Sequence, residues 1–181
     1  LNKKKYSKIF NLKNQSGKAI RLNDAAGRYS DFLKNTLDKT IKMKKIKIVL
    51  DCANGATYNI APNLFWELGH EIITINNNPN GKNINKNCGA VDTNELTKKV
   101  IQTKSDIGFA FDGDGDRLIV VNEKGETVDG DMIIALFCKF IVNKKNRKFK
   151  FPVIATIMSN MGLEIYLKKS LKINLKRTAV G

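Results

Sequence analysis

Three aspartates at alternate positions, Asp112, Asp114 and Asp116, are separated by Gly113 and Gly115 and followed at once by Arg117. An apolar run (107–111) precedes them and another (118–121) follows. Alternate side chains of an extended chain share a face, so the three carboxylates start out on one side, and the glycines let the backbone bend to gather them. Like charges so gathered repel by about 1 kcal/mol per pair at 4 Å in water, and several-fold more at lower effective dielectric. Solubility alone does not call for that arrangement at the exit of an apolar strand. A hard divalent cation among the carboxylates accounts for it, since oxygen donors suit Mg²⁺ or Ca²⁺. Arg117 adds a planar five-donor group suited to a phosphate beside such a cation.

Other chemistries compete for the same residues. An EF-hand calcium loop would find acids at its positions one, three and five and Glu123 at its twelfth, but its sixth position requires glycine and holds Arg117. Its flanks also read as strands rather than helices, and that reading is rejected. A haloacid-dehalogenase-like phosphatase would use Asp112 as nucleophile and Asp114 as second acid, although the Thr or Val usual after the second acid is missing. A merely polar Gly/Asp turn leaves the three alternating acids and the arginine unexplained. Elsewhere the bland readings are preferred. Asp129 and Asp131 read as acids at a helix start, and Ser159 and Asn160 as helix caps. Asn54 and Gly55 read as turn residues tolerant of positive φ. Cys52 reads as core, and the one histidine, His70, as a surface residue at the start of a strand.

The whole chain bounds these possibilities. Its 181 residues suffice for one or two small domains with real cores, and 42% hydrophobic content argues against disorder. No apolar run reaches the length of a membrane span and no signal peptide opens the chain, so no membrane partner is expected. Cys52, Cys88 and Cys138 are odd in number and lack paired-ligand spacing, which reads as reduced thiols in a cytoplasmic protein. The net charge of +15 could draw in nucleic acid. Its lysines are scattered, however, with no aromatic–basic platform and no recognition helix, so no nucleic-acid partner is expected and the excess is read as solvated surface. A basic binding module remains the non-enzymatic alternative.

The elements that must position the acids follow from periodicity. Weak strand character at 6–12 gives way to an amphipathic helix over 26–37, where Tyr29, Phe32, Leu33 and Leu37 recur at helical spacing. After a charged connection (38–45), strand and helix alternate. The expected order is strand 46–50, turn 51–56, helix 57–68 ended by Gly69, strand 71–75, an Asn/Gly-rich loop 76–89, helix 93–103 capped by Thr93, and strand 107–111. Pro62 must lie in a first helical turn or kink the helix. This alternation predicts an α/β fold of parallel strands joined by right-handed crossovers, with ligands at the carboxyl ends of the strands, where the three acids lie. A strand at 118–122, a turn at 123–126 and a helix at 132–142 follow, then a lysine-rich linker at 143–150. A second, partial α/β unit comprises strand 153–158, helix 160–169 and strand 173–177.

Several segments in this order resemble one family, the phosphoglucosamine mutases, a bacterial branch of the alpha-D-phosphohexomutases. They are Gly27-Arg28-Tyr29, Asp51-Cys52-Ala53-Asn54-Gly55-Ala56 with Ala61-Pro62, and Asn83-Ile84-Asn85 leading to Cys88-Gly89-Ala90. The loop from Asp112 to Arg117, Val128-Asp129-Gly130-Asp131, Met158-Ser159-Asn160 with Gly162-Leu163-Glu164, and Val180-Gly181 complete the set. The acidic loop alone marks the superfamily; the combination favours the glucosamine branch over the mannose and glucose branches. Ala179 departs from the basic residue many relatives carry. The resemblance implies a three-layer α/β/α domain with a mixed, mainly parallel sheet. It implies residues 1–40 as the end of domain one, 41–122 as domain two with the metal loop, and 123–181 as the opening of domain three. The family's nucleophilic serine loop is not found, since Ser7, Ser16, Ser30, Ser105, Ser159 and Ser170 stand in other contexts, so an internal fragment inactive by itself is expected. For the intact enzyme the resemblance implies Mg²⁺ held by Asp112, Asp114 and Asp116, and Arg117 touching a phosphoryl group. The reaction implied is phosphoserine-mediated interconversion of glucosamine 6-phosphate and glucosamine 1-phosphate. No oligomeric state follows from the sequence.

Overall fold

The strand Lys47–Asp51 (β1) is buried along nearly its whole length, and its side chains divide between two cores. Val49 meets Ile75, Leu96, Val100, Ala110 and Val121 on one face of the sheet. Ile48 and Leu50 meet Cys52 and Ala61 on the other, where Phe65 and Phe109 pack against them and stack on each other at 5.6 Å between ring centres. Alternation along a strand puts neighbours on opposite faces, so a strand with three successive apolar residues, Ile48 to Leu50, has to be covered twice. The helix Ile60–Glu67 (α1) covers one face, through Ala61 and Phe65, and the helix Asn94–Thr103 (α2) covers the other, through Leu96 and Val100. The result is a three-layer α/β/α arrangement. Each fully buried Val, Leu or Ile contributes about 1.5–3 kcal/mol from loss of apolar surface to water.

Together with β1, the strands Glu71–Ile75 (β2), Ile107–Phe111 (β3), Leu118–Asn122 (β4) and Thr127–Val128 (β5) form one sheet in the order β2-β1-β3-β4-β5. β2, β1 and β3 are parallel, with Val49 opposite Ile73 and Gly108. β4 and β5 return antiparallel. A second parallel pair, Val153–Thr156 (β6) with Leu175–Thr178 (β7), packs with the helices Gly130–Lys145 (α3) and Met161–Tyr166 (α4) around Cys138, Leu163, Leu167 and Ile173. This computed structural model describes residues 20–38, 43–145 and 151–180. The chain divides into two compact units, Leu1–Ile41 and Lys42–Gly181. The first holds the helix Ala25–Asn35, on which Tyr29 and Phe32 stack at 6.4 Å. The strand expected at 6–12 lies outside the described residues.

The α/β expectation and the order of elements hold, and the differences have local causes. The helix expected from residue 57 begins at Ile60, after a turn, which puts Pro62 in its first turn. Gly69, at φ +91°, follows its end. Thr93 precedes α2 without a side-chain capping bond, and Asp92 accepts the Asn94 N–H at 3.1 Å instead. α3 runs to Lys145, into what reads as a linker from residue 143. The helix expected to 169 passes after Tyr166 into a π-helical turn, Leu167–Leu171. The last two strands end and begin two residues inside the expected bounds, at Thr156 and Leu175. His70 corrects a surface assignment: it is buried beside Phe65, because α1 ends over the start of β2. β5 is two residues long, too short to give a periodic signal. No helix of the described residues is long and apolar enough to cross a membrane.

Candidate metal centre

The acidic loop starts at the carboxyl end of β3, where the parallel part of the sheet opens. One oxygen from each of Asp112, Asp114 and Asp116 lies within 4.8 Å of the others. Asp112 is buried, while Asp114 and Asp116 are exposed. Gly115 takes φ +75° and returns its N–H to the Asp112 carbonyl at 3.1 Å, the tight turn that brings the second and third acids back over the first. The turn is backed by the segment after β1, where Ala56 N–H donates to the Gly113 carbonyl at 2.8 Å. Gly55 is required by that approach, since a Cβ there would run into Gly113 O. Of the two turn residues expected to take positive φ, Asn54 does so (49°) and Gly55 does not; Ala53 (51°) is the other that adopts it.

Arg117 holds Asp112 by both oxygens. Its backbone N–H donates to Oδ1 at 3.0 Å and its Nε–H to Oδ2 at 2.7 Å. Burial pulls the Asp112 carboxyl upward, but the Arg117 backbone and side-chain hydrogen bonds outweigh it and hold it at about 2. Asp116 moves the other way, raised first by its hydrogen bond with Asp112 and then by repulsion from Asp114 and Asp112. The Arg117 guanidinium is raised by its hydrogen bond to Asp112 and stays charged, while its side chain is 62% exposed. The three acids and Arg117 line one cleft of about 510 Å³ together with Ile84, Asn85 and Gly113.

The donor set suits a hard cation: all three ligands are carboxylate oxygens. Oxygens bound to one Mg²⁺ at about 2.1 Å lie about 3 Å apart when adjacent and about 4.2 Å when opposite, so carboxylates already within 4.8 Å of one another come to share an ion by side-chain rotation. The residues fit Mg²⁺.

Other candidates from the sequence serve the scaffold. Asp129 Oδ1 accepts the Met132 N–H at 2.8 Å and Asp131 Oδ2 the Asn160 N–H at 2.8 Å. Asn160 caps α4 through the Leu163 N–H, and the Ser159 carbonyl accepts from Arg177 at 2.5 Å. Burial pushes the Cys52 thiol up to about 11, which makes it a packing residue. Cys52, Cys88 and Cys138 are all free and buried. Two residues escaped the sequence reading of individual side chains. Asp51 is buried at the end of β1, where it receives the Ala53 N–H (2.9 Å) and the Gly89 N–H (2.8 Å) and so ties the turn after β1 to the Asn-rich loop. Asn85 of that loop reaches the acidic cleft. Only loop composition marked the stretch, and composition does not say which asparagine faces a cleft.

Residues 27–125 match the family described as phosphoglucomutase/phosphomannomutase, alpha/beta/alpha domain II, and residues 129–181 match its domain III. The chain belongs to the phosphoglucomutase/phosphomannomutase family. Among curated relatives it is similar to the phosphoglucosamine mutases of Zymomonas mobilis subsp. mobilis (50% identical over 165 residues) and Aliivibrio fischeri (53% over 165 residues). These alignments take in 91% of this chain but 37% and 36% of those proteins, so the chain spans little more than a third of their length. A solved phosphoglucomutase/phosphomannomutase family protein of Burkholderia thailandensis shares the fold, with TM-score 0.76 and 24% identity over 97% of this chain and 38% of that one.

Proposed function

We propose that the chain carries the metal loop of a phosphoglucosamine mutase. The whole enzyme would interconvert glucosamine 6-phosphate and glucosamine 1-phosphate through a phosphoserine supplied by another domain. The observation that carries this reading is the convergence of Asp112, Asp114 and Asp116 within 4.8 Å beside Arg117 at the carboxyl end of a parallel strand. Curated relatives of that name, at about half identity over 91% of the chain, support the choice of sugar; a glucose or mannose phosphate is the alternative within the family. On this reading residues 1–40 close domain one, 41–122 form domain two and 123–181 open domain three. The substrate is a phosphorylated amino sugar, and neither nucleic acid nor membrane is a partner. We place the enzyme in the cytoplasm, where three free buried thiols stay reduced.

Asp112, Asp114 and Asp116 would hold Mg²⁺ through one oxygen each. Bound there, the ion would act as a Lewis acid and template for the transferring phosphoryl group. The chain's own residues do the rest. Arg117 keeps its Nε on Asp112 and turns its exposed terminal nitrogens toward the phosphoryl oxygens, a bidentate geometry that steadies charge and aligns donor with acceptor. Ile84 and Asn85 wall the loop from the side of Gly113. None of these residues is the nucleophile. On this reading Asp112 is a metal ligand, in place of the nucleophile that the phosphatase alternative makes of it.

The test is Asp114→Ala in the full-length enzyme. Turnover of glucosamine 6-phosphate should be abolished with the fold retained; normal turnover would sink the reading. The isolated 181-residue chain should show negligible mutase activity, and no aspartyl-phosphate should be trapped on it.

A further inference from the structure

The chain contains two Asn-Gly pairs, Asn54-Gly55 and Asn80-Gly81, and the fold treats them differently. Asn54 and Gly55 are locked behind the acidic turn. Asn54 gives its N–H to the Asn76 carbonyl (2.6 Å) and takes the Asn78 N–H on its side-chain oxygen (3.1 Å). Gly55 is buried, and its N–H donates to the Cys52 carbonyl at 2.8 Å. Asn80 and Gly81 are exposed. The Gly81 N–H has no hydrogen-bond partner among the described residues, and a Cβ on Gly81 would meet nothing within 4 Å. The Asn80 side chain is bent back along the chain, its Oδ1 accepting the Lys82 N–H at 2.9 Å. Its own backbone N–H is held by Asn83 Oδ1 at 2.9 Å.

An unbonded backbone nitrogen that follows an asparagine is a nucleophile kept close to an acyl carbon by the chain itself. At Asn80 the Lys82 N–H adds a donor on the oxygen where negative charge gathers as the nitrogen adds. We propose that Asn80 is a site of self-modification, a deamidation in which the Gly81 nitrogen is the nucleophile. That nitrogen gives its proton to solvent and bonds to Cγ of Asn80. The side-chain nitrogen takes a proton back and leaves as ammonia, and a cyclic imide closes. Water opens the ring at either carbonyl, leaving aspartate or isoaspartate, so that an amide and a water become an acid and ammonia. The product puts a carboxylate on the loop and, as isoaspartate, an extra carbon in its backbone. Both changes fall shortly before Ile84 and Asn85, which lie against Gly113 of the acidic turn.

The experiment is peptide mapping by mass spectrometry of the 181-residue chain aged in mildly alkaline buffer, folded and in denaturant. In the folded chain Asn80 should convert at least about 10-fold faster than Asn54, where reaction waits on local opening of the hydrogen bonds around it. In denaturant both pairs lose their surroundings, and the two rates should draw together. Asn80→Gln, whose longer side chain disfavours the ring closure, should remove the acidic species that charge-based chromatography resolves from the aged chain. Its melting midpoint should be unchanged. Equal rates in the folded chain, or faster conversion at Asn54, overturn the proposal. So does an Asn80 that survives in the folded chain while it converts in denaturant, or an acidic species that persists undiminished in Asn80→Gln. A ratio of rates that is the same in denaturant as in the folded chain also overturns it, because the difference then lies in the neighbouring sequence and not in the fold.

Discussion

Two aspartates stand at the carboxyl ends of neighbouring parallel strands and are put to opposite uses. Asp51 ends β1 and Asp112 follows β3, with Asp51 in register with Ala110, two residues before Asp112. Both are buried, and both have their two oxygens engaged. Asp51 is held by two backbone N–H groups and has no cationic partner in those bonds. Burial raises its carboxyl, the hydrogen bonds of Ala53, Gly89 and Asn76 pull the other way, and repulsion from Glu95 adds to the rise. Asp112 is held by a charged arginine with two more acids close by, and its carboxyl sits at about 2. The position at a strand end, which the general rule for such sheets favours as a ligand site, does not separate the two. What separates them is the company they keep: backbone donors take both oxygens of Asp51, whereas Asp112 has one oxygen on a charged, exposed arginine and two further acids beside it.

The two aspartate regions should differ most in activity. Asp114→Ala in the full-length enzyme should lower turnover by on the order of 10³-fold or more, the scale of losing electrostatic stabilisation of a transition state. Its thermal stability should stay level or rise slightly, since an exposed acid leaves a repelling cluster. Asp51→Ala should do the reverse. It strands two backbone N–H groups and should destabilise the fold by about 2 kcal/mol, the relief of a buried charge offsetting part of the lost bonds. It should leave Mg²⁺ affinity of the folded chain within about twofold, well below the about 10- to 100-fold loss from removing a group that orients a metal ligand. Chemical denaturation and calorimetry measure the two effects separately. Gly55→Ala joins the two regions, because the added methyl meets the Gly113 carbonyl. It should cost about 1–3 kcal/mol by overpacking and should also weaken Mg²⁺ binding.

Acid titration gives the smallest effect and the sharpest sign. Asp112 has a folded pKa of about 2 against an ordinary 3.8, so its contribution to stability is complete above 3.8 and is lost as pH falls through about 2. Asp51, raised rather than lowered, works in the opposite direction, and acidification relieves its buried charge. Denaturation midpoints followed from pH 5 to pH 2 should therefore fall less steeply in Asp112→Asn, which lacks the lowered carboxyl, and more steeply in Asp51→Asn.

The sequence made the site legible because alternation, glycine spacing and an adjoining arginine are all local. Strands β2, β3 and β4 fall on their expected residues, since their apolar runs are short and end at clear turn residues. Tertiary contact decided what remained. Gly55 looks like a turn glycine, but the closeness of Gly113, a residue on another strand's exit, is what requires it. His70 looks exposed until Phe65 of the preceding helix covers it. Asp51 and Asn85 matter through partners 38 and 32 residues away, Gly89 and Ala53, and no local period encodes such pairs.

Whether the three acids form one magnesium site is decided by Mg²⁺ titration of the chain beside a variant carrying Asp112→Asn, Asp114→Asn and Asp116→Asn together. One saturable site is expected in the unaltered chain and none in the variant, both remaining folded. Equal binding by the two, or no saturable binding by either, would contradict it.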